Sequence, residues 1–281
     1  MALRAVKPEA IQKRLKALFY GGAGVFKSTA AASFPSPYFI DTERGIENDQ
    51  YIKLLQKNNG AVFQTTDFDE LIKEIKTLLV EKHEYKTLVI DPLTTLYNDL
   101  LEKSAIKNGT DFGKHYSEAN KKMKHLLSLL TRLDLNVIIT SHAKNEYASG
   151  MTVIGTTFDC YKKLDYLFDL CIEIQKRGKE RIGVIKKTRI ESFPDGEVFP
   201  FSYEEISKRY GKDIIEKQSI PQKLATEKQI IELKRLIDLL KIPEEVCQKW
   251  LDKASSFSFE EMPEEMILKC IDHLNEKVKG E

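Results

Sequence analysis

Cysteine is scarce: the 281 residues hold four, Cys160, Cys171, Cys247 and Cys270, and no two of them form a C-x-x-C pair. That spacing argues against a disulfide framework and a zinc site, and fits reduced thiols in a cytosol. An excess of one charge is also missing. Forty-four Lys/Arg against 43 Asp/Glu leave a formal charge of +1, so a histone-like positive blanket is ruled out. Any contact with nucleic acid has to come from a local patch. No run approaches the roughly 18 consecutive apolar residues of a membrane helix, and the N-terminus lacks the apolar core of a signal peptide. The expected location is the cytoplasm, with no membrane partner. Internal repeats and low-complexity tracts are absent as well. Hydrophobic residues at 42% and charged residues at 31% strike a balance that excludes wholesale disorder.

Strands and helices alternate over the first two thirds of the chain. Lys16–Tyr20 is a short apolar run ending in Gly21 and Gly22, which predicts a buried strand feeding a turn. The small residues from Ser28 to Ser33 suit a helix packed closely on a sheet. Strands are predicted at Tyr38–Asp41, Thr87–Asp91 and Asn136–Thr140, and helices at Phe68–Val80 and Tyr116–Leu133, each helix with apolar residues at helical spacing. Such alternation points to an α/β fold with a mainly parallel sheet covered by helices. Leu170–Gln175 and Arg181–Lys187 read as a hairpin around Gly178.

Residues 211–224 read as a linker between a core at 1–210 and a helical region at 225–281. Thr226 is the expected N-cap of its first helix, and Ile230, Ile231, Leu233, Leu236, Ile237, Leu239 and Leu240 are the expected apolar face. The lone tryptophan, Trp250, is expected in that region's core. Residues 222–281 carry ten Lys/Arg against thirteen Asp/Glu, leaving +4 on residues 1–221.

The sharpest motif is Gly21, Gly22, Ala23, Gly24, Val25, Phe26, Lys27, Ser28, Thr29, between a strand and a helix. It follows the phosphate-loop pattern G-x-x-x-x-G-K-[ST], in which backbone amides turn inward around phosphates. Lys27 would reach the β- and γ-phosphates, and the Ser28 hydroxyl would ligate magnesium. Phe26 stands where the second glycine belongs; if that position needs a positive φ, a side chain there costs about 1–2 kcal/mol. Asp91 ends an apolar strand, where a carboxylate acts on the metal. Glu43 lies just beyond the strand ending at Asp41, where it can orient or deprotonate an attacking water. The three elements in this order predict a nucleotide site taking ATP and Mg2+.

The order of lysine loop, D-x-E at the next strand end, strand-end aspartate and a strand closing on Thr140-Ser141-His142 resembles the RecA-like P-loop ATPase core. More closely, the chain resembles the phage-encoded RecA-like ATPases of the Sak-type single-strand annealing family. The residues that carry this are 16–34, Tyr38 to Gly45, Thr87 to Thr95, Asp111 to Tyr116 and Val137 to His142, within a span of about residues 14–205. The resemblance implies Lys27 and Ser28 as the Walker A pair, Glu43 as the base that activates water, and Asp91 as the Walker B acid. It puts His142 where a γ-phosphate sensor stands, a capped strand-end histidine being the alternative. It also implies that Ala143–Asp165 is a loop that orders on single-stranded DNA, with a lid or an oligomer contact as the other reading. Tyr147, Phe158 and Tyr161 would stack bases there, and Lys144, Lys162 and Lys163 would meet phosphates.

A basic run from Lys176 to Arg189 contains Arg177 and Lys179, and Lys187 and Arg189 at its end. The last two would meet a neighbouring subunit's γ-phosphate, making hydrolysis depend on assembly, or else the DNA backbone. The implied activity is an ATP-dependent, single-stranded DNA-binding, homo-oligomeric recombinase that promotes annealing in phage recombination. A RecA-type helicase or helicase loader is the alternative within enzymes. A poorly hydrolysing nucleotide switch that partners a single-strand binding protein is the alternative outside them.

Overall fold

The computed structural model describes residues 12–148 and 152–280. The chain runs β1 (Lys16–Gly21), α1 (Lys27–Ala32), β2 (Pro37–Asp41), α2 (Asp49–Lys57), β3 (Ala61–Gln64), α3 (Phe68–Val80), β4 (Thr87–Asp91), α4 (Leu93–Asn108) and α5 (Lys114–Arg132). It continues with β5 (Asn136–Tyr147), β6 (Val153–Phe158), α6 (Leu164–Leu167), β7 (Leu170–Arg177), β8 (Glu180–Thr188), β9 (Val198–Pro200), α7 (Tyr203–Tyr210) and α8 (Lys212–Ile215). The helices α9 (Glu227–Leu239), α10 (Glu244–Lys253) and α11 (Glu264–Gly280) close it. The sheet has the order β3-β2-β4-β5-β1-β7-β8-β9, with β6 paired only to β5. Every pair from β3 to β7 is parallel, and β8 and β9 add antiparallel strands at one edge. The α/β class with a mainly parallel sheet is therefore as the alternation predicted.

Periodicity is what makes the elements legible. Helix α3 starts at Asp67, whose carboxylate accepts from the Asp69 and Glu70 amides at 2.8 and 3.0 Å, and it buries Phe68, Leu71, Ile72, Ile75, Leu78 and Leu79 on the sheet. With α4 and α5 it covers one face of the sheet. On the other face Ala30, Ala31 and Ala32 of α1 are fully buried with Phe19, Phe34, Phe39, Phe193 and Phe199. Methyl side chains let α1 sit close to the strands, which fixes the loop before it.

Three expectations change. The segment after His142 is not a loop: β5 runs on to Tyr147 and pairs antiparallel with β6, Ala143 opposite Phe158. Alternating exposed residues with no apolar face hid that hairpin, since a strand projecting from the sheet buries neither side. Residues 211–224 are held to the core rather than free-running. Ile215 is fully buried, and Arg14 donates to the carbonyls of Ile214, Lys217 and Gln218 at 2.7–3.0 Å. In α9, Thr226 forms a capping box with Gln229 and Ile230, Leu233 and Leu236 are buried, but Ile231 and Leu239 are exposed. One helical face cannot hold neighbours such as 230 and 231 together. Trp250 packs, partly buried, against the cluster formed by α9 and α11.

Candidate functional site

The C-terminal ends of β1, β2, β4 and β5 converge on a cavity of about 440 Å3 lined by Gly21, Gly22, Ala23, Lys27, Ser28, Asp41, Glu43, Gly45, Asp91, Pro92, His142 and Ala143. The loop's first glycine is required by packing: a Cβ on Gly21 would lie 2.4 Å from the Ile174 carbonyl oxygen of β7. Phe26 has φ 89 and ψ 16, so the left-handed conformation that favours glycine is adopted by a phenylalanine, at a strain of about 1–2 kcal/mol.

Lys27 Nζ donates to the Gly21 and Gly22 carbonyls at 3.0 and 2.7 Å. Burial lowers its pKa, opposed by the charges of Asp91 and Glu43. Asp91 is buried, and Thr140 Oγ1 donates to it. Burial raises the Asp91 pKa, against hydrogen bonds from Ser28 and Thr140 and the charge of Lys27. A buried carboxylate facing a hydroxyl fits a hard divalent cation that draws its other ligands from phosphate and water. No three-residue cluster of His, Cys, Asp or Glu able to hold a metal occurs among the described residues.

Glu43 owes its place to Asp41. The Asp41 carboxylate accepts from the amides of Glu43, Gly45 and Ile46 at 3.1–3.2 Å, curling the chain past the strand end. Thr42 ties that curl to β4 through the Asp91 and Pro92 carbonyls. Thr95 Oγ1 donates to Glu43, and His142 Nε2 lies 3.5 Å from Glu43 Oε1. Both side chains remain nearly half exposed, so water can reach between them. His142 is fixed in turn by its backbone amide donating to Thr94 Oγ1 at 3.0 Å, and Thr94 also meets Ser141 at 3.0 Å. Thr94, Thr95, Thr140 and the carboxylate of Asp41 are positioning groups that lie within the quoted motifs but receive no role from them. For the three threonines the only further signal is a cluster of short hydroxyl side chains just after or at strand ends.

The remaining sequence-predicted residues scatter. Lys144 pairs with Asp159 at 3.0 Å, Tyr147 is exposed on the β5–β6 hairpin, and Lys162 and Lys163 are exposed beyond it. Phe158 is half-buried against Tyr20, the ring centroids 6.1 Å apart. Tyr161 is a correction: it is buried against Tyr97 in the core and offers no face to a base. Aromatic type alone did not separate a core ring from a stacking ring. Arg177 and Lys179 are exposed at the β7–β8 turn, at the phosphate-loop end of the sheet. Lys187 and Arg189 lie at the opposite end. Lys187 Nζ donates to the Asp165 and Phe168 carbonyls, and Arg189 donates to the Tyr166 carbonyl at 2.9 Å and lies 3.8 Å from Asp169. They are not part of the cavity in their own chain.

A family model described as an AAA domain matches residues 13–197, more than half of the chain, and the chain belongs to that family. With the phosphate loop after β1 and the mainly parallel sheet, the core is an α/β fold of P-loop type. No curated protein matches the sequence. Among solved structures, the chain is similar to the RadB recombinase, at 18% identity and a TM-score of 0.48, over 67% of this chain and 86% of that one. It is also similar to a DnaB-like replicative helicase, at 12% identity and a TM-score of 0.42, over 67% of this chain and 56% of that one. Among the described residues no helix is long and apolar enough to cross a membrane.

Proposed function

We propose that the chain is a magnesium-dependent ATPase that binds single-stranded DNA and promotes its annealing or pairing, in the manner of the Sak-type phage proteins. The observation that carries the nucleotide half is the convergence of Lys27, Ser28, Asp91, Glu43 and His142, from four strand ends, on one cavity. Lys27 would exchange the loop carbonyls for phosphate oxygens. Ser28 and Asp91 would hold magnesium, which when bound neutralises phosphate charge. Glu43, held by Thr95 and beside His142, would take the proton of the attacking water. His142 begins the segment that leads into the β5–β6 hairpin, so a contact between it and the γ-phosphate would pass nucleotide state outward.

The DNA half rests on exposed groups: Lys144 and Tyr147 on one hairpin and Arg177 and Lys179 on the next, at the phosphate-loop end of the sheet, with Lys162 and Lys163 exposed on the segment that follows β6. Lys187 and Arg189, at the opposite end of the sheet, would exchange their bonds to the carbonyls of Asp165, Tyr166 and Phe168 for a neighbouring subunit's phosphate within a homo-oligomer. The core would span 1–210 and the small helical domain 225–281, joined through 211–224. The strained Phe26 favours one second reading, a nucleotide switch that turns over slowly and works beside a single-strand binding protein.

The deciding experiment is ATP hydrolysis with and without single-stranded DNA, for wild type and Glu43→Gln. DNA-stimulated turnover that disappears in the variant is the expected result. Binding of both ligands with no turnover in either protein would replace the ATPase reading with the switch.

A further inference from the structure

The glycine position of the phosphate loop carries a benzene ring that is 43% exposed, held at a φ that disfavours any side chain. Strain of this kind persists where the side chain or the backbone is used. The ring has a companion. The Arg181 guanidinium of β8 lies 5.9 Å from its centroid, within reach of a cation–π contact. Arg181 Nη1 donates to the carbonyls of Lys179 and Glu180 at 3.3 and 3.2 Å, whereas its Nε is buried with no hydrogen-bond partner. A buried donor left unpaired carries a cost that a ligand acceptor can remove.

Direction across the sheet says what reaches this pair. The acid, base and histidine of the cavity stand on β4, after β2 and on β5, all on one side of β1, while β7 and β8 lie on the other. A nucleoside triphosphate whose terminal phosphate meets Glu43 and Asp91 must therefore run its nucleoside end across the loop toward Phe26 and Arg181. We infer that Phe26 and Arg181 form the nucleobase subsite: the base stacks on the Phe26 ring, and Arg181 closes the stack from the β7–β8 hairpin. This rests on the nucleotide reading and deepens it. It gives the substituted glycine a use, and it links the base directly to the hairpin that presents Arg177 and Lys179.

The test compares the affinities of Mg-ATP and of inorganic triphosphate, which lacks a base, for wild type, Phe26→Leu, Phe26→Trp and Arg181→Gln. Stacking on one aromatic face is worth roughly tenfold in affinity. Wild type is expected to prefer ATP over triphosphate by about that factor or more. Phe26→Leu and Arg181→Gln should each erase most of the preference, and Phe26→Trp should keep it. The readout is the ratio of the two affinities within each variant, because a general disturbance of the loop weakens both ligands and leaves the ratio unchanged. An ATP preference that survives both Phe26→Leu and Arg181→Gln overturns the subsite while leaving the nucleotide site standing. So does a Phe26→Trp protein that loses the preference while Phe26→Leu keeps it. Binding of neither ligand by wild type overturns the nucleotide reading, and the subsite with it.

Discussion

The two ends of the sheet, where its strands start and finish, use their cations in opposite ways. At the end away from the phosphate loop, Arg14 gives its guanidinium to Asp134 and three carbonyls, and the partly buried Lys16 sets its ammonium on the Leu133 and Leu135 carbonyls. Lys187 and Arg189 are likewise taken up by carbonyls of the segment that leads into β7. At the loop end, Arg177 and Lys179 are exposed, and Glu43 and His142 face each other half in water. A cation whose donors are filled by its own backbone is holding the fold; one left to solvent can serve a ligand. Lys27 stands between the two cases. Its carbonyl partners belong to the loop it would serve, and burial lowers its pKa, so its charge is held at a cost that phosphate would relieve.

The largest effect that would sharpen this contrast is catalytic. Glu43→Gln keeps the size and the Thr95 contact but removes the base. ATP turnover is expected to fall by about 10²–10⁴-fold with ATP affinity retained. A variant that also lost binding would move Glu43 from chemistry to phosphate positioning. At the opposite end the expected sign is reversed. Arg14→Met strips partners from Asp134 and three carbonyls and should cost about 3 kcal/mol of stability, read by denaturant unfolding, with ATP affinity of the folded protein unchanged. An Arg14→Met protein of normal stability would show that these carbonyls are readily rehydrated, and the contrast would fail at its structural end.

A smaller effect tests the exposed cations. Replacing Arg177 and Lys179 together by alanine should weaken single-stranded DNA binding roughly tenfold and flatten its salt slope by about 0.7 per lost contact. Lys187→Ala in the same assay should leave the slope unmoved. A slope that changes only in Lys187→Ala would place the DNA at the other end.

The difference between the ends also marks how far the sequence could be read. Strands β1, β2 and β4 and helix α3 were legible because buried faces impose a period, and Lys27, Ser28 and Asp91 because phosphate chemistry imposes residue types at fixed spacing. What could not be read is what depends on contact across the chain. The run from Lys176 to Arg189 is one basic stretch in sequence, yet a hairpin of two strands carries its turn to one end of the sheet and its last residues to the other. Tyr147 and Tyr161 are alike as letters, but one tips an exposed hairpin while the other fills the gap beside Tyr97. The hydroxyls of Thr94, Thr95 and Thr140 gained meaning only once β4, α4 and β5 had brought them to His142, Glu43 and Asp91.

The smallest expected effect lies where the helical tail meets the core, and it is set by pH. Burial acts to raise the Glu261 carboxyl, but hydrogen bonds from His125 and Lys76, the charge of His125 and the Phe257 amide outweigh it and hold the pKa down to about 2, against 4.5 for the free side chain. The contacts are short, 2.6 Å to Lys76 and 2.9 Å to His125, and both partners belong to helices of the core. A carboxyl whose folded pKa is depressed contributes stability that is present above 4.5 and disappears as the pH falls toward 2, because the unfolded chain takes up the proton first. Glu261→Gln keeps one acceptor oxygen and part of the hydrogen bonding, and Lys76 is partly exposed and screened, so the loss near neutral pH should be about 1 kcal/mol. Thermal unfolding of wild type and Glu261→Gln across the acid range is the measurement. The two melting curves should stand apart near neutrality and merge as the pH approaches 2. A gap that stayed constant with pH would mean that Glu261 supports the junction by shape and hydrogen bonding alone, and that its own charge adds nothing.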